Sequence, residues 1–238
     1  MHSLETLLKR LEAVTSRLED IAENAEATGK FSTLDLLNPV SHSAGSLTTS
    51  RGLGPASQVG SDNKDFGPLP TSVEKFDEFL EKTVGRYIML SNELGGSVAK
   101  QAACVLASFQ EQRKIFLIAS RTPKPDAAGR KKIFQPMNNA AAQVVQIQEA
   151  GRTDEFYNHL SSVADGISLL GWIHLETRPY RHVDGLLGSA QYFGNKVLSE
   201  FKESDVRHVE WVRSFYQIFP DLSDLIREYF PLGVEWST

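Results

Sequence analysis

From residue 71 to the end of the sequence, apolar side chains return every three or four positions and show no sustained alternation, which excludes a sheet and demands packed helices. Gly, Pro and polar breaks divide this run into five or six segments. The first covers about 71–93, with Val73, Phe76, Leu80, Tyr87 and Leu90 on one face, and stops at Gly95-Gly96, a C-cap and turn signal. The second, about 97–120, runs through Val98, Val105, Phe109 and Phe116. The stretch RTPKPDAAG then breaks the chain before an Ala- and Gln-rich third segment over 130–150, which uses Phe134, Met137, Ala141, Val144 and Ile147 and closes at Gly151. In the fourth, about 154–174, Phe156, Leu160, Val163, Ile167 and Leu170 follow i, i+4, i+7, i+11 and i+14 behind a Thr-Asp-Glu cap cluster. The fifth covers about 180–203 with Val183, Leu186, Ala190, Phe193 and Val197, and Ser204 is the expected N-cap of a sixth running toward Phe230. Pro220 lacks a backbone donor and crowds the preceding turn, so it is expected to kink or split this last helix. Long segments with short connections predict an all-α fold, an antiparallel six-helix bundle over 71–238.

Residues 1–70 follow other rules. Leu4, Leu7, Leu11, Val14, Leu18, Ile21 and Ala25 alternate spacings of three and four, the a and d positions of a short coiled coil over 1–26. The e positions (Leu8, Thr15, Ala22) and g positions (Ser3, Arg10, Arg17, Asn24) lack the opposite-charge pairing of a dimer, and an apolar shoulder at e favours more than two strands. A helix this short is marginal alone, so it makes physical sense as an oligomerisation tag; the alternative is an amphipathic helix folded back on the main domain. Residues 27–70, with SHSAGSLTTSRGLGPASQVG at their centre, read as a flexible linker. FSTLDLLNPV (31–40) is an apolar island in it, either a short docking helix or incidental hydrophobicity.

Among the 238 residues, 25 Lys and Arg stand against 30 Asp and Glu, and the resulting charge of -5 argues against nucleic acid or an acidic membrane as partner. No apolar run approaches a membrane span, and the acidic, heptad-patterned start is unlike a leader, so the chain is expected to be neither exported nor membrane-embedded. A single cysteine and the absence of Asn-x-Ser/Thr fit a reducing, cytoplasmic setting. The sequence holds no His-Glu-x-x-His, no Cys-x-x-Cys and no Glu-x-x-His pair, so no metal, cofactor or catalytic residue is expected. Asp205-x-x-His208 stands alone and reads as a helix-start acid beside a surface histidine. Gly52-Leu53-Gly54 follows no strand and lacks the third glycine of a dinucleotide loop. Cys104, between Ala103 and Val105, reads as a buried structural thiol. The six histidines form no visible triad. Arg130, Lys131 and Lys132, near Arg121 and Lys124, make the only dense basic patch: a solvated helix start, or a contact patch for an acidic protein partner.

Arg10-Leu11-Glu12 and Arg17-Leu18-Glu19, one heptad apart, resemble the amino-terminal signature of the adenylyl cyclase-associated proteins. NELGGSVAKQA (92–102), FYNHLSSVADGISLLGW (156–172), AQYFGNKVLSEFK (190–202), HVEWVR (208–213) and GVEWS (233–237) resemble the same family in the same order, whereas the linker carries no resemblance. The resemblance implies that the coiled coil, through Leu4, Leu7, Arg10, Leu11, Glu12, Val14, Arg17, Leu18, Glu19 and Ile21, assembles the chain into a higher homo-oligomer and contacts adenylyl cyclase. It implies a six-helix bundle that engages cofilin-decorated actin at pointed ends and speeds severing and subunit release without enzymatic chemistry. The expected location is the cytoplasmic actin cytoskeleton, including cortical actin patches. The family's Pro-rich segment, WASP-homology motif and carboxy-terminal β domain are not in this sequence, which is therefore expected to correspond to an amino-terminal half. The family motif, with positions off the apolar stripe, makes Asn158 and His159 of the fourth segment and Asn195 and Lys196 of the fifth candidates for the actin and cofilin face. For Asn158 and His159 the alternative is a hydrogen-bonded packing role. Where the family commonly has Asn-Arg, this chain has Asn195-Lys196 after Gly194, which keeps the charge but loses the guanidinium fork. The competing role is a signalling adaptor that holds adenylyl cyclase through the Arg-Leu-Glu heptads, with actin secondary.

Overall fold

The computed structural model describes residues 68–238; the heptads at 4–25 and the apolar island at 31–40 lie outside the described residues. Helix α1 (Thr71–Phe79) passes through a π-turn (Leu80–Val84) into α2 (Gly85–Leu94), making one continuous rod. Gly95, at φ 75°, ends that rod, as the Gly-Gly pair predicts. Then follow α3 (Gly96–Ala119), α4 (Ala127–Ala150), and α5 (Tyr157–Gly166), which tightens into a 3-10 stretch (Ile167–His174). Helices α6 (Tyr180–Phe201) and α7 (Val206–Tyr229) complete six rods, with no strand among the described residues. Each rod packs on its successor, and α7 closes against α2, giving an all-α antiparallel bundle.

Three local expectations need correction. Helix α4 starts earlier than its apolar period suggests, because Asp126 Oδ1 accepts from Gly129 N at 2.7 Å and caps it. Asp205, not Ser204, caps α7, with Oδ1 accepting from Arg207 N at 3.0 Å. Pro220 does not split that helix, which runs unbroken from Val206 to Tyr229, and α4 likewise continues through Pro136. Both prolines are exposed, and residue i−4 shares their helix face, so the carbonyl that loses its donor lies on the side open to water.

The core is strongly aromatic. Phe116 meets Phe76 edge-on at 4.8 Å and stacks on Phe230 at 4.7 Å, while Trp172 lies 5.8 Å from Phe116 and 5.4 Å from Phe230. Farther along the bundle Tyr87, Trp211, Phe215 and Phe219 continue the stack. Polar ties cross this apolar interior. Gln101 Nε2 donates to Val144 O at 2.9 Å and Leu160 O at 3.0 Å, and Gln112 Nε2 donates to Leu170 O at 3.1 Å, so one face of α3 reads the backbones of its neighbours. Trp211 Nε1 donates to Ser91 Oγ at 2.8 Å, and that hydroxyl donates to Tyr87 O at 2.7 Å. Hydrogen bonds of this kind add roughly 1 kcal/mol each and fix which turn faces which.

Ser72, Ala119, Val234 and Glu235 line one small cleft of about 80 Å³, and Ser237 N donates to Ala119 O at 2.8 Å. The described domain therefore starts and finishes at the same end of the bundle. Cys104 is half-buried rather than enclosed: its thiol faces Gln143 Oε1 at 3.6 Å, and burial pushes its pKa up, away from the reactive thiolate.

Candidate functional site: the seam between α5 and α6

The four residues expected to form a common polar face separate into two groups. Asn195 and Lys196 are exposed on α6, and Asn158 is half-buried near the start of α5. On α6 the Lys196 ammonium sits 4.5 Å from the centroid of Tyr192 and 4.6 Å from that of Phe193. These rings meet edge-on at 4.9 Å, and Tyr157, the neighbour of Asn158, meets Phe193 edge-on at 6.0 Å across the seam. Tyr192 is 65% exposed, more than a side chain of its size usually leaves open without a partner. Tyr216 of α7 donates its hydroxyl to Asn195 Oδ1 at 3.3 Å. That reach needs Gly194: a Cβ there would stand 2.1 Å from the Tyr216 oxygen and 2.9 Å from Ser162 Oγ. The Gly-Asn-Lys sequence thus makes room for a tyrosine to cross α6 and hold the asparagine. The result is a rigid aromatic surface carrying one cation, the composition typical of protein-binding hot spots.

His159 is not part of that surface. It is 1% exposed, and its Nε2 lies 2.8 Å from Nδ1 of His208, which is itself buried and not the surface histidine expected beside Asp205. Phe201 stacks flat on His208 at 3.8 Å, and Trp211 and Phe156 flank His159 at 5.0 and 5.3 Å. A single proton serves the short contact, so the two facing nitrogens cannot both be protonated. His159 Nδ1 has no partner, and protonating it would bury an N–H with nothing to accept it. Burial, then the adjacent His208, push His159 down to about 3; burial also lowers His208 against the opposing pull of Asp205. Asp205 is held down to about 2 by hydrogen bonds from the Arg207 side chain and backbone. The pair joins the ends of α5 and α7 beneath α6 and is a packing element. Among the described residues no group of three or more His, Cys, Asp or Glu side chains could hold a metal ion.

Arg130, Lys131 and Lys132 occupy the opening turns of α4, with Arg130 half-buried and both lysines exposed. They sit with Lys124 at the end of the bundle where the described domain starts, away from the α5–α6 aromatic surface.

Comparison with known proteins bears on all of these elements. Residues 76–234 match the family model "CAP, N-terminal domain", and residues 5–63 match "CAP N-terminal conserved motif". The second match runs past the heptads through most of 27–70, where the sequence reading saw no resemblance. An adenylyl cyclase-associated protein of Schizosaccharomyces pombe is 29% identical over 263 aligned residues, covering 100% of this chain and 48% of the relative. Adenylyl cyclase-associated protein 2 of Mus musculus is 34% identical over 184 residues, covering 77% of this chain and 39% of the relative. The chain thus spans less than half the length of these relatives. Among solved structures, the N-terminal domain of the Dictyostelium discoideum protein superposes with a TM-score of 0.67 at 28% identity, covering 69% of this chain and 94% of that one. A second N-terminal domain of CAP, described as showing variable oligomerisation, gives 0.68 at 29% identity over 72% and 93%. With the family's domain matched over 76–234 and its motif over 5–63, the chain belongs to the adenylyl cyclase-associated protein (CAP) family.

Proposed function

We propose that this chain is an oligomeric, non-enzymatic regulator of actin turnover, working with cofilin to sever filaments and release subunits at pointed ends. The observation that carries the reading is the ordered match of both amino-terminal family elements along nearly the whole chain. The aromatic surface of α6, with Tyr192, Asn195 and Lys196, supplies a rigid exposed face of the kind a protein partner needs. Lacking an active site, such a factor must act by differential affinity, holding the loosened subunit more tightly than the intact lattice. Oligomerisation through Leu4, Leu7, Leu11, Val14, Leu18 and Ile21 would present several bundles to one filament end, so modest single contacts suffice. The setting is the cytoplasmic actin cytoskeleton, including cortical patches.

The test is single-filament imaging with cofilin and the purified chain, beside a Tyr192→Ala/Asn195→Ala/Lys196→Ala variant. The expected result is faster pointed-end loss with the parent chain and a several-fold smaller effect with the variant. Unchanged loss with a well-folded variant removes the face from the site, and no effect of the parent chain removes the actin reading. Leu11→Pro or Leu18→Pro should yield a monomer in sedimentation equilibrium; a retained oligomer would place association in the bundle itself.

A second reading has its own support, because relatives matched over the full length of this chain are named for association with adenylyl cyclase. In that reading the Arg-Leu-Glu heptads hold a cyclase and actin is secondary. Pull-down by a cyclase fragment, lost when Arg10 and Arg17 are changed to Ala, would favour it over the filament assay.

A further inference from the structure

At the end of the bundle opposite the histidine pair, a cleft of about 320 Å³ opens between the start of α4, the loop after the 3-10 stretch, and the carboxy-terminal tail. Its apolar wall is Phe134, Ile173, Leu175, Val234 and Trp236. Leu175 is 38% exposed on the rim, and Leu232 of the tail is 65% exposed. Its other wall is cationic. Lys124 pairs with Glu176 at 2.6 Å, a carboxylate that Arg130 also attracts from farther off, so the three cations Lys124, Arg130 and Lys131 share one acid in this wall. Cations so close to a helix start gain nothing from the helix dipole, which favours anions there.

The apolar wall is held in place by construction. Gly233, at φ 83°, lies so close to the loop that a Cβ would stand 2.2 Å from Leu175 O, and Ser237 N is tied to Ala119 O. The loop itself keeps Arg178 at φ 47°, in the left-handed region that a non-glycine side chain occupies at a cost. A shaped recess with an aromatic floor and three cations to one carboxylate at its lip, Lys124, Arg130 and Lys131 against Glu176, fits a ligand with the inverse arrangement.

We propose that this cleft is a docking site for a short acidic segment of a protein partner, one large apolar side chain seated against Phe134 and Trp236 and an adjacent carboxylate held by Arg130 and Lys131. The volume admits one or two side chains, which excludes a folded helix and suits a linear motif. Arginine supplies a fork matched to a carboxylate, and the apolar wall distinguishes such a segment from a bare anion. The inference is independent of the actin reading, because the cleft lies away from the α6 surface and its test uses no filament.

The probe is the fluorescein-labelled peptide Asp-Asp-Phe-Leu-Asp-Glu, titrated with the full chain and followed by anisotropy, with Trp236 emission as a second signal. The expected result is saturable binding that weakens with salt, falls at least tenfold in Arg130→Glu/Lys131→Glu, and falls at least fivefold when Phe and Leu of the peptide become Ala. Both substituted side chains reach solvent at the lip, and a circular-dichroism melt matching the parent confirms the fold; Trp236→Leu, which alters only the wall, is the second variant and should weaken the parent peptide without affecting the Ala peptide. Absence of saturable binding, equal affinity for the Ala peptide, displacement by tripolyphosphate at the same concentration as by free peptide, or insensitivity to the charge reversal would each overturn the proposal. The middle two outcomes would mark a general anion patch.

Discussion

Lowering the pH from 7.5 to 5.5 should destabilise the bundle through the buried histidine pair. His159 is held down to about 3 in the fold, against about 6.5 in an unfolded chain, so the unfolded state binds more protons throughout this window. Stability is therefore complete above about pH 6.5 and is lost progressively as the pH falls toward the folded value. With an unfolded pKa near 6.5 and no protonation of the native ring, the integrated loss between these two pH values is about 1.4 kcal/mol. His208, lowered in the same direction by burial, adds a further loss of the same sign. For a domain of this size, 1.4 kcal/mol corresponds to a fall in Tm of about 3–6 °C. Urea unfolding of the parent chain and of His159→Gln at both pH values measures the effect. Glutamine can still donate to His208 Nδ1 but does not titrate, so its variant should lose less stability between pH 7.5 and 5.5 by about the amount assigned to His159. Carboxylates near their ordinary values are ionised at both pH values and largely cancel. Equal pH dependence in parent and variant, or a parent chain that gains stability at pH 5.5, would refute the reasoning.

Gly194→Ala should cost about 1–3 kcal/mol in urea unfolding, because the new methyl meets the Tyr216 oxygen at 2.1 Å and Ser162 Oγ at 2.9 Å; Gly194→Ala/Tyr216→Phe should recover part of it. Phe116→Ala, which removes a ring held by Phe76, Trp172 and Phe230, should cost about 3–5 kcal/mol by the same measurement. Gln101→Met should stay within about 1.5 kcal/mol of the parent, because it deletes two hydrogen bonds but also removes Oε1, a buried acceptor with no partner.

The helical period alone located all six rods, because each buries a stripe whose spacing survives in one dimension: Phe156, Leu160, Val163 and Ile167 of α5 are a clear instance. Ends were harder, since they depend on single hydrogen bonds. Asp126 and Asp205 cap their helices, and an aspartate just before an apolar run was the available signal at both. Pro220 misled because the expectation weighed the missing donor without knowing which face the proline occupies. On a buried face the orphaned carbonyl would have been costly; on the exposed one water answers it. The candidate surface was half legible. Asn195 and Lys196 lie off the stripe, but His159 stands at i+3 from Phe156 and one residue before Leu160, within the apolar face. His208 stands three residues before Trp211 and four before Val212, likewise within an apolar face. The sequence expectation put His159 off the stripe and His208 on the surface, and the neighbouring apolar residues were the signal against it; what no spacing shows is that two histidines from α5 and α7 satisfy each other. Tyr192 escaped notice for the opposite reason, since the stripe runs through Ala190 and Phe193 and its neighbour is left to water. The crossing of Tyr216 over Gly194 is a tertiary contact that neither helix announces.

Because Ser72 and Val234 share one cleft, a pull applied between the two ends of the described domain acts at a single end of the bundle. Such a load does not slide helices past one another along their full length, which would require every side-chain ridge to break at once. It parts the first and last rods turn by turn, beginning where Phe116, Phe230 and the tail meet, so the resisting force at any moment is that of one layer of contacts. A domain tethered in this way behaves under tension as a zipper, and the layer containing Phe116 is its first tooth.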